Sequence, residues 1–468
     1  MSRTPYTAAA LSAALALALF AAAPVFAAPS TASAPASRST TGAKAPASKA
    51  RRAKAATDSH SVRSTPGRKV RAGTRAKNVV QSLPVIVPVV DERSISRDIR
   101  AVVRDFDGWL DGIESTGDVA GLATAIVKDD RVVLERGIGF ADWQTREPID
   151  GDTVFRVASL SKAFAAAMAG LLVEEGRLGW GTRVADLLPT FTLSDVANGN
   201  RVTVRDILSH RVGLPHNTYD RLLEQDEPYE LLVRRLHEVP LTCPVGDCYN
   251  YQNIAYSLVG DITFATTGDF FSHQVEKRLF HPLRMHGATY GRDALLGSPK
   301  WARPHRRGNA GWSAFLPNEN YYRVAPAAGV NASVRDMSQW LIAQMGGRPD
   351  VLSHDLLEVL HAPLVETQRE TRSSPWRRGR LNEARYALGW RIYDYAGRTM
   401  VFHAGAVQGY RAMIAFLPED RLGVVMLWNC ESALPSGLLP MLLDRYLGLP
   451  EVNWAGLDEE DDSDRTGG

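Results

Sequence analysis

The chain has 468 residues, is 45% hydrophobic and 23% charged, and carries 54 basic against 52 acidic residues. This is ordinary for a globular protein with a large core, built as one big domain or as two or three smaller ones. No stretch beyond the first thirty residues reaches the length of a transmembrane helix, and three cysteines spaced as Cys243, Cys248 and Cys430 do not suggest a metal site.

The overall balance hides three regions. Arg3, an apolar run over residues 8–20 and small residues around Ala27 read as a secretion signal over residues 1–27, removed after export. Residues 28–85 are a basic linker rich in Ala, Ser and Pro. Within 31–80 there are twelve Lys or Arg against a single acid, Asp58. Such a segment buries too little apolar surface to offset ordering its backbone, so disorder is expected. Its charge suits contact with an anionic surface such as cell wall, or a solubilising spacer; nucleic acid is a poor fit without a recognition fold. The remainder, from residue 81 on, carries a formal charge of −10. Residues 451–468 form an acidic tail.

In chain order, apolar positions at helical spacing predict an amphipathic helix over 95–117. Strands follow over 121–127 and 132–138, joined by a hairpin turn at 128–131. Residues 159–175 are apolar and alanine-rich, favourable for a buried helix with Gly176 as its cap. Helical segments are expected over 204–210, 228–236, 256–266 and 336–345, between proline-punctuated loops. Strand signals return at 386–392, 400–402, 410–416 and 422–428, and a last helix at 435–446. The fold class is therefore α/β (α+β). An antiparallel sheet built from both ends of the domain, residues 86–450, is flanked by helices, with a mainly helical region over 178–380 inserted between its parts. Cys243 and Cys248 are close enough in sequence to close a short loop, leaving the third thiol over unless it pairs between chains.

Three local patterns carry chemistry. In Phe155-Arg-Val-Ala-Ser159-Leu-Ser-Lys162, Ser159 and Lys162 sit one turn apart at a helix start, where an amine can approach the hydroxyl and backbone N–H groups face an oxyanion. Lys162 is one of four lysines in the body and the one inside an apolar helix. In Tyr249-Asn-Tyr251-Gln-Asn253, a phenol and an amide precede an apolar helical run; they suit proton exchange and carbonyl binding, or simply packing and a helix cap. In Phe402-His403-Ala404-Gly405-Ala406, small residues let a ligand approach strand backbone. The imidazole suits an anionic or polar ligand, a proton relay, or a structural place in the sheet.

In that order, with Gly137-Ile-Gly-Phe-Ala-Asp142, Asp206-Ile-Leu-Ser-His-Arg-Val-Gly-Leu-Pro215 and Ala328-Gly-Val-Asn-Ala-Ser-Val-Arg-Asp336 between them, these motifs resemble the serine beta-lactamase and penicillin-recognising hydrolases over residues 90–450. The match is to the class C-like branch with its D-alanyl-D-alanine carboxypeptidase, D-aminopeptidase and esterase relatives. The resemblance implies a beta-lactamase/transpeptidase-like fold, no cofactor and no metal. It implies Ser159 as the acylated residue, Lys162 as its activating partner and Tyr251 as the proton shuttle. Asn253 would bind a substrate amide or steady Lys162, and His403, Gly405 and Ala406 would line the substrate site. The backbone N–H groups of Ser159 and Ala406 would form the oxyanion hole.

His403-Ala404-Gly405 departs from the Lys-Thr-Gly of dedicated class C enzymes, and Ala404 has no hydroxyl for a substrate carboxylate. The expectation is an exported, periplasmic or secreted bacterial hydrolase cleaving an ester, amide or D-amino-acid peptide bond through acyl-Ser159. Its partner would be a small molecule or peptide, peptidoglycan-derived or a beta-lactam. The alternatives are a class C beta-lactamase and a non-catalytic cell-wall or protein-binding module.

Overall fold

The computed structural model describes residues 88–90 and 98–457. The expected secretion signal, the whole of the basic linker and the last residues of the acidic tail lie outside them. Helix α1 (Ile99–Thr116) opens the folded part; Asp98 caps its N-terminus by accepting from Arg100 N and Ala101 N. Val102, Phe106, Leu110 and Ile113 form its buried stripe. No helix of the described residues is long and apolar enough to cross a membrane.

Fourteen strands follow among the described residues. The first three are β1 (Gly121–Lys128), β2 (Arg131–Asp142) and β3 (Glu147–Pro148). The middle of the chain holds β4 (Val154–Arg156), β5 (Thr289–Tyr290), β6 (His305–Gly308), β7 (Gly311–Ala314) and β8 (Val330–Ser333). The last six are β9 (Val365–Glu366), β10 (Leu381–Tyr386), β11 (Arg391–Tyr395), β12 (Arg398–Val407), β13 (Tyr410–Leu417) and β14 (Leu422–Trp428). The main sheet has nine strands in the order β3-β2-β1-β14-β13-β12-β11-β10-β9. Its N- and C-terminal parts are sewn together by β1 and β14, antiparallel from Leu122↔Trp428 to Lys128↔Leu422.

Both faces of this sheet are covered, which is why β13, from Ala412 on, and β14 read as apolar runs. Alternate side chains enter different cores. Val425 and Leu427 join one, with Ala123, Ala125, Ile414 and Phe416. Val424, Met426 and Trp428 join the other, with Leu122, Ile126, Met413 and the stripe of α1.

Helix α2 (Ser161–Glu174) is buried on every side from Ser161 to Gly170, as its apolar composition demands. Gly176, at φ +69°, ends it where the sequence expects. The expected strand 386–392 is instead the end of β10, a turn and the start of β11; the apolar run Ala387-Leu-Gly-Trp390 crosses the turn. The inserted region is also less helical than expected. It contains β8 and β5, which form a three-stranded sheet with β4 from before the insertion, and β6 and β7 as a hairpin, runs too short for a period to register. Cys243 and Cys248 are bridged, and Cys430 is a buried free thiol.

The C-terminal helix (Leu438–Leu447) is tied to the sheet edge by a buried ion pair. Arg380 meets Asp444 through two bonds of 2.8 Å, and Tyr395 Oη and Trp454 Nε1 donate to the same carboxylate. Arg380→Ala strands that carboxylate in the core and is expected to lower stability by about 3–5 kcal/mol. The expected readout is a lower urea midpoint at an unchanged slope; a loss below about 1 kcal/mol would show the pair to be solvated.

Candidate active site

Three separate segments converge on Ser159. Strand β4 pairs with β8 and runs into a single 3-10 turn, Ala158–Leu160, ahead of α2. The turn forces Ala158 to φ 51°, a left-handed conformation that costs an L-residue roughly 1–2 kcal/mol. Ser161 stabilises it, donating to Ala158 O at 2.6 Å and accepting from Val330 N at 3.0 Å. Ser161 is thus a fully buried staple, whereas Ser159 is part-exposed in a cavity of about 630 Å³.

Lys162 is fully buried one turn later. Its Nζ lies 2.7 Å from Asn253 Oδ1, 3.1 Å from Ala327 O and 3.4 Å from Ser159 Oγ. Burial pushes the amine well below its ordinary pKa; Asp220 opposes that shift and Arg391 adds to it. A neutral amine has two hydrogens and one lone pair. The two shorter contacts take the hydrogens, which leaves the lone pair facing the serine.

Tyr251 donates from Oη to Ser159 Oγ at 2.9 Å. Burial moves its pKa above the ordinary tyrosine value, so the group is a phenol at neutral pH. Asn253 occupies the N-cap position of the helix Ile254–Thr267 but makes no side-chain cap bond. Its Oδ1 holds Lys162 and its Nδ2 donates to Asp220 at 2.7 Å. Both ends of the amide are therefore engaged within the protein, the arrangement that steadies Lys162.

Strand β12 forms the opposite wall. Its neighbour β11 begins at Arg391, opposite Phe402, so the edge of β12 from His403 onward has no strand beside it there. That bare edge meets the serine turn: a Cβ on Gly405 would stand 2.4 Å from Val157 O and 3.1 Å from Ser159 N. Only glycine permits this approach. Ala406, exposed in the cavity, follows it.

His403 does not occupy the substrate-contacting position expected of it. It is 1% exposed and both ring nitrogens are engaged. Gln252 N donates to His210 Nδ1 at 3.1 Å, which leaves His210 Nε2 to donate to Tyr386 Oη at 3.1 Å. Tyr386 then donates to His403 Nε2 at 3.2 Å, and His403 Nδ1 donates to Ala404 O at 2.8 Å. Burial lowers the pKa of both imidazoles well below 6.5, keeping the string neutral. His210 also lies against the Tyr251 ring, centroids 4.4 Å apart. The string thus runs from beneath Tyr251 to the cavity wall.

Asp220, His210, Tyr386, Arg391 and Glu370 were not singled out as site residues from the sequence. Of these, only His210 stood inside a motif that carries the resemblance, and it was given no role there. The others lie far from Ser159 along the chain, and no local spacing marks them.

The Beta-lactamase family model matches residues 99–439. The chain is 28% identical over 363 residues to the Unguisins hydrolase ungD of Aspergillus violaceofuscus, covering 71% of this chain and 62% of that protein. It therefore spans about three fifths of the length of this curated relative. Among solved structures, the octameric penicillin-binding protein homologue from Pyrococcus abyssi superposes with a TM-score of 0.64 at 22% identity, covering 74% of this chain and 78% of that one. The D-amino acid amidase from Ochrobactrum anthropi, complexed with L-phenylalanine amide, gives 0.60 at 21%, covering 74% and 98%. At these identities the two structures speak for the fold, and the family match over most of the chain carries the assignment: the protein belongs to the beta-lactamase family.

Proposed function

We propose that the chain is a serine hydrolase that cleaves an ester, amide or D-amino-acid peptide bond through an acyl-Ser159 intermediate. The observation that carries this reading is the convergence of Lys162 Nζ and Tyr251 Oη on one part-exposed serine hydroxyl. The likeness to the hydrolase named above supports it. Export to the periplasm or outside of a bacterial cell, with the basic linker against cell wall, belongs to the same proposal and rests on the sequence.

Ser159 Oγ attacks the carbonyl carbon while its proton passes to the neutral Lys162 amine. The carbonyl oxygen gathers charge between the N–H groups of Ser159 and Ala406. The carbon–leaving-group bond then breaks, and the leaving group takes a proton from the lysine ammonium through the Tyr251 hydroxyl. Water attacks the acyl-serine by the same route in reverse. It gives one proton to the Lys162–Tyr251 pair, and Ser159 is reprotonated as the acid departs. The opposite pKa shifts of the two groups favour Lys162 over tyrosinate as the first base.

Intact-mass analysis with benzylpenicillin tests the nucleophile. A Ser159-dependent adduct that persists is the expected result, because no lysine or threonine stands at the 403–404 positions. Rapid turnover of the drug makes beta-lactam hydrolysis the main activity. Failure of both penicillin and simple esters to react in a Ser159-dependent way removes the hydrolase reading.

The lysine assignment predicts a pH profile. kcat/KM for an ester is expected to rise through a depressed lysine pKa and to level off below the ordinary value of 10.5. Lys162→Met is expected to lower kcat by about 10²–10⁴. Activity that climbs only above pH 10 would transfer the role to Tyr251.

Stability gives an independent check. Between the depressed folded value and 10.5 the unfolded chain binds the extra proton, so wild-type stability rises with pH across that window. Lys162→Met is expected to flatten that rise. The buried histidines add only a rise that is complete near 6.5. Parallel urea-midpoint curves for the two proteins above that point would show Lys162 to be charged in the folded state.

A further inference from the structure

A second cavity, of about 390 Å³, neighbours the Ser159 cavity. Glu431 and Ser432 line both, whereas Ser159, Tyr251 and Asn253 line only the first. The second cavity forms where the β6–β7 hairpin meets the end of α1 and the loop after β14. Trp312, Phe315 and Leu434 supply its apolar lining. A cavity of about 150 Å³ admits benzene, so this one has room for two fused rings. Trp312 is fixed in place, its Nε1 donating to Gly117 O at 3.0 Å.

The acids on this cavity are already engaged. Asp118 pairs with Arg307. Glu431 accepts from Gly409 N at 3.1 Å, with Arg411 Nη2 3.9 Å away. Arg306 is the cation left over. No carboxylate pairs with it among the described residues, and its guanidinium stands 4.9 Å from the centre of the Phe315 ring.

His305 adds a second donor. It is 1% exposed, and its Nε2 accepts from Trp143 N at 3.0 Å. Burial lowers its pKa from the ordinary value, so the neutral ring carries its one proton on Nδ1. That nitrogen has no hydrogen-bond partner among the described residues. A buried donor without an acceptor is costly, and in a residue that lines a cavity a ligand can supply the acceptor. An unpaired guanidinium beside an N–H donor suits an oxyacid, and two aromatic side chains suit a flat ring.

We propose that this cavity is a second ligand site, separate from the Ser159 site, and that its ligand is a small aromatic acid. The ring system lies against Trp312 and Phe315, and Arg306 and the His305 N–H hold the carboxylate.

The test titrates three probes into the full chain by calorimetry: 2-naphthoate, its neutral amide 2-naphthamide, and the saturated acid decalin-2-carboxylate. Naphthoate is expected to bind more tightly than either of the others. Arg306→Gln is expected to lower the acid-to-amide ratio of affinities by roughly fivefold to tenfold. Phe315→Leu is expected to lower the aromatic-to-saturated ratio by roughly threefold. Arg377→Gln and Arg391→Gln, which touch the Ser159 cavity and not this one, are expected to leave both ratios unchanged. Each ratio compares two ligands on one sample, so partial misfolding lowers the bound fraction and leaves the ratio alone.

Either ratio unchanged in its own variant overturns the proposal, as does a wild-type protein with no preference for the aromatic acid. An acid preference lost in Arg377→Gln or Arg391→Gln places the ligand beside Ser159 and overturns it too. No probe is turned over, so the outcome is independent of the hydrolase reading.

Discussion

The site depends on burying a lysine. An amine with no access to water forfeits its solvation unless it finds acceptors or loses its proton. Lys162 is served on both counts: Asn253 and the Ala327 carbonyl lie within hydrogen-bond distance of its amine, and burial pushes its pKa well below the ordinary value. Neither acceptor is local. Ala327 belongs to the segment before β8, and Asn253 starts a helix far along the chain, itself held by Asp220. Moving any of these segments leaves the amine unsatisfied, so Lys162 acts as a common anchor for the elements around Ser159. Tyr256 adds a fourth tie, donating to the Lys162 carbonyl at 2.7 Å.

The sheet supplies the other half of the geometry. Because β11 stops opposite Phe402, the following residues of β12 present an unpaired edge, and a missing side chain at Gly405 lets that edge close on the serine turn. The same edge is steadied from behind by the neutral string through His403, Tyr386 and His210. That string is uncharged in every member, which suits its depth: a proton added to either histidine would face Arg391 with little solvent to screen it.

What was legible in the sequence follows from the range of the interactions. Ser159 and Lys162 are one helical turn apart, so their pairing is a matter of local geometry, and the two-faced burial of β13 and β14 appears as apolar runs. Period-based reading failed where a turn is itself apolar, at Ala387-Leu-Gly-Trp390, and where strands are two to four residues long. Asn253 shows a subtler limit. Its position marks a helix start correctly, yet its side chain is withdrawn from capping because the buried amine outbids the helix for its oxygen. His403 was legible as a special residue and misread as a wall of the cavity, since nothing near it in sequence reveals that Tyr386 faces it.

These features give a physical reading of the exchange of Lys-Thr for His403-Ala404. A lysine at the first position would need its own acceptors or solvent, as Lys162 does. In this chain that space is filled by an uncharged imidazole bound to a tyrosine, and a fixed cation, Arg391, stands on the adjacent strand. Positive charge stands at the start of β11, about 6 Å from the Tyr251 ring, and not at the edge of β12. A guanidinium keeps its charge at any pH at which the fold survives, whereas a buried lysine need not. Separating the two therefore lets Lys162 remain a neutral base while the cavity retains a cation, a combination that two neighbouring lysines would be poorly placed to maintain.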